Sequence, residues 1–282
     1  MINLRANSFY LVICFALTIV LSINCQSKNS TLDTINAQES NTSCLGDTIT
    51  NKEKKIINQL SDSLLIIRLT GKFFPSKDSA FVLVKKPHSN RTIYLQKEVY
   101  SKFIEMFNAA KKEGINLTII SGTRNFYDQK SIWERKWTGK RILSDGTSAK
   151  DIKDPNKRAL KILLYSSMPS TSRHHWGTDI DINNLNNSYF ESGRGLKEYN
   201  WLVENAGDYG FCQVYSDKKI ENRTGYEMEK WHWSYIPIAA EYTKKYTELI
   251  SYEKINGFMG CKHAKEIGAI QNYVNGINTE CH

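Results

Sequence analysis

The chain has 282 residues, 40% of them apolar and 11% aromatic, with a formal net charge of +9. This is enough apolar material for one large folded domain with extensions, and too much for a disordered chain. The basic residues are scattered, and no phosphate-binding glycine loop, zinc-finger spacing or aromatic ribonucleoprotein motif accompanies them. The charge therefore reads as a solvated surface and gives no nucleic-acid function, while anionic lipid or an acidic wall polymer stays compatible with it.

In residues 1–25, Arg5 precedes a largely apolar run from Phe9 to Ile23. The run is short for a membrane span of ~20 residues but suits a secretory signal. Cys25 follows "LSIN" and opens a polar tail, which resembles a bacterial lipoprotein signal with a lipidated cysteine. Ser22 stands where leucine is usual, and Leu21 lies one place further off; cleavage nearby or an uncleaved short anchor are the alternatives. Export would place Cys44, Cys212, Cys261 and Cys281 in an oxidising compartment, where two disulfides can form. No C-x-x-C pair exists, which argues against a cysteine zinc site. Cys261 with Cys281 is the easiest pair, although pairing does not follow from sequence.

Residues 26–52, rich in Ser, Thr, Asn and Asp, read as a flexible linker. A folded domain is expected over 53–245 and a helical extension over 246–282. Apolar residues at helical spacing begin after Glu53 (Ile56, Ile57, Leu60, Leu64). "AFVLVKK" and "RTIYL" predict short strands, and "QKEVYSKFIEMFNAAKKEG" an amphipathic helix stopped by Gly114. "INLTIISGT" predicts a buried strand, and "NFYDQKSIWERKW" a helix. The polar stretch 138–158 predicts an exposed loop long enough to form a lid or a binding edge. "ALKILLYSSM" returns to helix. "GTDIDIN" alternates as a strand with Asp179, Asp181 and Asn183 on one face. A helix closed by Gly210, the strand "WHWSYI" and a last helix from Ile238 follow. Helices and strands mix without regular βαβ units, which places the chain in the α+β class.

Two stretches concentrate the chemistry. "SRHHWGTDID" (172–181) holds two of the chain's 6 histidines. "EMEKWHWSY" (227–235) sets Glu229 three residues before His232. A hydrolytic zinc site needs three protein ligands, an open position for water, and a carboxylate outside the ligand set to handle that water's proton. His174, Asp181 and His232 can supply the ligands and Glu229 the base. The helical H-E-x-x-H pattern is absent, so the site belongs to another class. In one regular strand over 229–233, Glu229 and His232 would face opposite ways; Glu229 therefore belongs before the strand or on a bulge.

These residues carry a resemblance. Ser172, His174, Gly177 and Asp181 in S-x-H-x-x-G-x-x-x-D, with Glu229, Trp231 and His232 in E-x-W-H, resemble the zinc D-alanyl-D-alanine carboxypeptidases of the VanY type, related to the VanX-type dipeptidases. Upstream, "SGTRNFYDQ" is similar to the family's "SGYRSYxxQ" at Ser121, Gly122, Arg124 and Gln129. The resemblance implies a small mixed or antiparallel sheet flanked by helices, with a zinc site on the sheet, as in the Hedgehog and D-Ala-D-Ala peptidase fold. It implies one zinc ion on His174, Asp181 and His232, with Glu229 as base and Arg124 on the substrate carbonyl. Ser172 and Gln129 are further candidates for substrate contact. The sequence departs from the pattern at Asp179, where Ala is usual, at Lys230, often Pro, and at Thr123, usually aromatic. Asp179 shares a strand face with Asp181, which makes it a partner for a ligand histidine or an alternative ligand. His175 reads as a neighbour of the site.

The resulting expectation is an exported zinc peptidase, tethered through Cys25 in the periplasm and trimming peptidoglycan stem peptides at D-Ala-D-Ala. An L,D-carboxypeptidase or endopeptidase of the same fold is the nearest alternative, and a non-catalytic wall-binding module is the distant one. A pure binder needs neither Glu229 nor Arg124. Oligomeric state is not legible.

Overall fold

The computed structural model describes residues 51–281, with side-chain surroundings from residue 58. The expected signal segment, Cys25, Cys44 and all but the last two residues of the expected linker lie outside this range. Helix α1 (Asn51–Leu69) leads to a hairpin of β1 (Phe81–Leu83) and β2 (Tyr94–Gln96). Helix α2 (Lys97–Lys112) follows directly and buries Val99, Tyr100, Phe103, Met106, Phe107 and Ala110, the apolar stripe of an amphipathic helix. Strand β3 (Ile119–Ser121) precedes α3 (Phe126–Trp137), which starts in a capping box. There Asn125 Oδ1 accepts from the Asp128 amide at 2.9 Å, and the Asp128 carboxylate accepts from the Asn125 amide at 3.1 Å.

The next helix, α4 (Pro155–Ile162), begins three residues before the end of the polar stretch 138–158. Pro155 occupies the first turn and the Asp154 carboxylate caps the amides of Asn156 and Lys157, a start signal that outweighs the polarity of "PNKR". Strand β4 (Asp179–Ile182), α5 (Gly193–Asn205), β5 (Phe211–Cys212), the short α6 (Lys218–Glu221), β6 (His232–Tyr235) and α7 (Ile236–Leu249) follow. A last short helix, α8 (Ala264–Ile267), and a π-helical turn (Ala269–Val274) complete the described chain. The α+β class read from the sequence is the class observed.

Four strands form an antiparallel sheet in the order β3-β4-β6-β5. Ile180, Ile182 and Trp233 on one face pack with Phe103, Leu117 and Leu202 from the α2 and α5 side. Alternation then puts Asp179, Asp181, His232 and Ser234 on the other face. That face looks toward a second core in which Trp133, Ile162, Trp176 and Tyr226 meet the tail residues Tyr246, Phe258, Ile270 and Val274. Residues 246–281 thus share the domain's core, continuous with α7.

The easiest cysteine pair by sequence is not the one formed. Cys212 in β5 bonds to Cys281, across a separation of 69 residues. Cys261 has no partner among the described residues. The tail folds back along the sheet, so its last cysteine meets β5 and not its neighbour in sequence.

Candidate active site

Strand register brings the first two candidate ligands together. Asp181 of β4 lies opposite His232 of β6, and Ser121 of β3 lies opposite Asp181. Directly opposite residues of an antiparallel pair share a face at close Cβ spacing. His174 arrives from a 3₁₀ turn (Arg173–Trp176) that ends at Gly177 with φ +72°. A Cβ at Gly177 would stand 2.3 Å from the Phe81 ring, so the turn into β4 requires glycine in conformation and in space.

The hydrogen bonds fix which ring nitrogens are free. His174 Nδ1 faces the Gly122 carbonyl at 2.8 Å and donates to it. Its Nε2 is buried with no hydrogen-bond partner, 3.3 Å from Asp181 Oδ1. His232 Nε2 lies 2.8 Å from Asp179 Oδ2, and its Nδ1 lies 3.1 Å from Asp181 Oδ1. With each histidine donating through its outer nitrogen, the lone pairs of His174 Nε2 and His232 Nδ1 converge on Asp181. These three donor atoms lie within 4.8 Å of one another, and all three residues are buried. Tetrahedral zinc with bonds of ~2.0–2.1 Å puts its ligand atoms ~3.3 Å apart, close to the two separations measured. The partnerless buried nitrogen and the two-nitrogen, one-carboxylate donor set fit a zinc-type ion.

Burial pushes against charge on each of these groups, and the outcome depends on its neighbours. The Asp181 carboxyl would be raised by burial, but His174 and His232 hold it well below the usual range. Asp179 behaves likewise, held down by the Arg173 guanidinium and by His232. Burial lowers His174, and nearby Arg124 reinforces the effect against Asp181. His232 is pushed up despite burial by its bonds to Asp179 and Asp181.

Asp179 is fully buried and accepts from Arg173 Nε at 3.1 Å, Thr178 Oγ1 at 2.7 Å, Ser234 Oγ at 2.8 Å and the His232 ring. Arg173 is itself buried, bonded to Thr243 and Ser234 and stacked over the Trp176 ring at 4.6 Å. Of the two roles open to Asp179 in the sequence, the geometry gives it the one behind His232. His175 also has both nitrogens engaged: Nδ1 with the Arg124 carbonyl at 2.6 Å and Nε2 with the Ser170 amide at 3.1 Å. It locks the Arg124 backbone in place and points no atom at the ligand cluster.

Glu229 precedes β6 in a turn, where the His232 amide donates to its carbonyl at 3.2 Å. This resolves the strand-parity conflict seen in the sequence. Its carboxylate sits 3.7 Å from His232 Nδ1. Burial pushes that carboxyl up to about 8; Asp181 adds to the rise, while His232, Arg124 and Lys136 oppose it. Glu229, Asp181 and Arg124 open onto one cleft of about 890 Å³, whose rim includes Arg141 to Asp145. Part of the polar stretch after α3 thus lines the cleft. Leu143, 8% exposed, anchors its turn.

The structure does not bring Gln129 or Ser172 to the cleft wall. The Gln129 amide is buried and donates to the Ser167 carbonyl at 2.7 Å, which ties α3 to the segment after α4. Ser172 is fully buried with its hydroxyl unpartnered, beside the ligand-bearing turn. Sequence reasoning missed Arg173 and Lys136. Arg173 stands beside the motif histidine, but only the fold reveals that it is buried against Asp179; Lys136 lies in an ordinary amphipathic pattern.

Comparison with known proteins agrees with the geometry. The profile of the VanY D-alanyl-D-alanine carboxypeptidases matches residues 92–238. The Bacillus subtilis (strain 168) protein YodJ is 31% identical over 145 residues, covering 51% of this chain and 46% of its own. A D-alanyl-D-alanine carboxypeptidase of Enterococcus faecalis (strain ATCC 700802 / V583) is 29% identical over 150 residues, covering 53% and 51% respectively. The chain thus spans about half the length of these curated relatives. A solved structure of VanYB in complex with D-alanine-D-alanine aligns with a TM-score of 0.44 at 22% identity, over 61% of this chain and 85% of that one. With the family profile spanning the region that holds all three ligand candidates, Arg124 and Glu229, the chain belongs to the VanY D-alanyl-D-alanine carboxypeptidase family.

Proposed function

We propose that the protein is an exported zinc D,D-carboxypeptidase that removes the terminal D-alanine of peptidoglycan stem peptides. The observation that carries this reading is the convergence of His174 Nε2, Asp181 Oδ1 and His232 Nδ1, of which Asp181 opens onto the cleft that Glu229 and Arg124 also line. A zinc ion held by these three side chains would supply Lewis-acid polarisation of the scissile carbonyl and an acidified water. Glu229, whose carboxylate lies 3.7 Å from the inward-facing Nδ1 of His232, takes the attacking water's proton and returns it to the leaving amine. A carboxyl raised toward neutrality suits both transfers, and a dication nearby draws it down toward the base form. Arg124 donates to the oxygen that gains charge as the carbonyl becomes tetrahedral; its backbone is fixed by His174 and His175. No covalent intermediate is needed.

Export is part of the proposal. The Cys212–Cys281 disulfide accords with an oxidising compartment. Attachment through Cys25 rests on its place after the apolar run Phe9 to Ile23. Cys25→Ala should move the protein from the membrane to the soluble fraction, and unchanged fractionation would reject lipidation.

The reaction is tested by incubating the zinc-loaded protein with pentapeptide muropeptides and weighing the products. Loss of one alanine supports a D,D-carboxypeptidase. Trimming of tetrapeptides alone would favour the L,D-carboxypeptidase, and opening of cross-links the endopeptidase. An unchanged substrate with zinc bound would favour a wall-binding module.

A further inference from the structure

The tail, residues 246–281, lies beyond the region 92–238 that the family profile matches, yet it reaches the site by three routes. The first is covalent. Cys281 is bonded to Cys212, whose partner across the sheet is Ser234, and Ser234 donates to the Asp179 carboxylate behind His232. The second runs through the main chain. The Asn278 amide donates to the Val214 carbonyl at 2.9 Å, and the carbonyl of the next residue, Tyr215, accepts from the Glu229 amide at 2.9 Å. Gln213, on the same segment, donates from its side chain to the Glu229 carbonyl at 3.2 Å. Both main-chain polar groups of Glu229 are thus held by the segment 213–215 on which the tail closes. The third route is a run of buried rings. Tyr273 of the π-helical turn meets Tyr226 at 5.1 Å between centroids, Tyr226 meets Tyr215 at 4.8 Å, and Tyr215 meets His232 at 4.5 Å. The backbones are pressed together beside it. Thr224 Oγ1 donates to the Asn272 carbonyl at 3.0 Å, and a Cβ at Gly225 would stand 2.4 Å from that oxygen.

We propose that the tail is a brace that positions Glu229 and His232 for the reaction, and that the Cys212–Cys281 disulfide locks it. The inference rests on the peptidase reading and adds a condition to it: the disulfide-closed chain is the competent one. The hold on the Glu229 main chain sets where its carboxylate stands, and a misplacement of ~1 Å in an active site can cost about 100-fold in rate. Tyr215, Tyr226 and Tyr273 are positioning residues, which act through Glu229 and His232 and transfer no proton. Disulfides persist in oxidising compartments and are reduced in the cytosol, so turnover would follow the compartment in which the chain sits.

The test opens the disulfide of the zinc-loaded protein with a water-soluble phosphine. The phosphine becomes its oxide with an oxygen atom from water, and the disulfide takes up two electrons and two protons to give two thiols. After desalting, kinetics on a D-Ala-D-Ala peptide, zinc content and hydrogen exchange are compared with those of the oxidised protein. With zinc retained, kcat should fall roughly 10- to 100-fold while KM changes little, and reoxidation in air should restore it. Exchange in the peptide that holds Glu229 should quicken, read by mass spectrometry, while circular dichroism stays that of the folded chain. Cys281→Ser should reproduce the loss and show no further response to the phosphine, and Cys261→Ala should behave as the parent does. An undiminished kcat in the reduced parent, an equal further loss on treating Cys281→Ser, or a loss that comes only with global unfolding would overturn the proposal. If exchange at Glu229 quickens on reduction while the oxidised protein cleaves no stem peptide, the brace stands and the peptidase reading falls.

Discussion

Replacing Asp179 by alanine, the residue usual at this place in the family, tests how the metal centre is held. Asp179 is fully buried and is the carboxylate that both Arg173 and the outer nitrogen of His232 address. Its loss has two separable costs. The first is to folding: Arg173, 1% exposed, would keep Thr243 and Ser234 but lose its counter-charge. Stranding one member of a buried ion pair costs about 3–5 kcal/mol. The second is to metal binding, because the carboxylate fixes the His232 tautomer and raises the ring's basicity; loss of such a partner typically weakens affinity by roughly 10–100-fold. The double substitution Arg173→Met with Asp179→Ala separates the two. Removing both charges should restore most of the folding stability, since an apolar replacement of a buried pair is often neutral. It should not restore zinc affinity. Urea unfolding of the metal-free proteins reads the first cost, and competition for zinc with a chelator reads the second. A double variant that binds zinc as tightly as the parent would show that Asp179 serves only to neutralise Arg173. A single variant that loses no stability would remove the argument from burial.

Four further outcomes follow from the geometry. Glu229→Gln should retain zinc and fold but lose at least about a hundredfold in turnover of a D-Ala-D-Ala peptide, the low end for general acid–base help; near-parent turnover would reject its role in proton transfer. Arg124→Ala should lower turnover with zinc content intact, measured by metal analysis beside kinetics, because its side chain is not among the three ligand candidates. Gly177→Ala should destabilise the domain in thermal melts and weaken zinc binding, since the new methyl group meets the Phe81 ring at 2.3 Å in a left-handed turn. Cys281→Ser opens a loop of 69 residues and should lower stability by up to about 4 kcal/mol in denaturant titration; an unchanged midpoint would mean the tail is held by packing alone.

How far the sequence revealed these features depends on how local each one is. Strand β4 was legible because a glycine entry and a two-residue alternation of Asp with Ile leave one pattern that buries both isoleucines. The capping box at Asn125 and the amphipathic stripe of α2 are equally local. The ligand candidates were legible as residue types at suggestive spacings. That they meet depends on the β4–β6 register, a pairing between residues 51 apart in sequence. The early start of α4 was hidden by a polar stretch whose Asp-Pro start outweighs its composition. The Cys212–Cys281 pair was hidden because the tail's return to β5 is decided by a core drawn from distant segments.

The residues that eluded sequence reading share a physical cause. Arg173, Lys136 and Gln129 belong to types that usually face solvent, and each is wholly or partly enclosed here. A charge or amide forced inside must find partners, and the partner found defines its role. Arg173 finds Asp179 and so supports a ligand histidine. Gln129 finds a backbone carbonyl and becomes a tie between segments, although its motif position suggested substrate contact. Lys136 finds a serine hydroxyl, two repelling cations and the more distant Glu229 carboxylate. Of the three, it alone is left with charge to offer, and that charge opens onto the cleft where Glu229 stands.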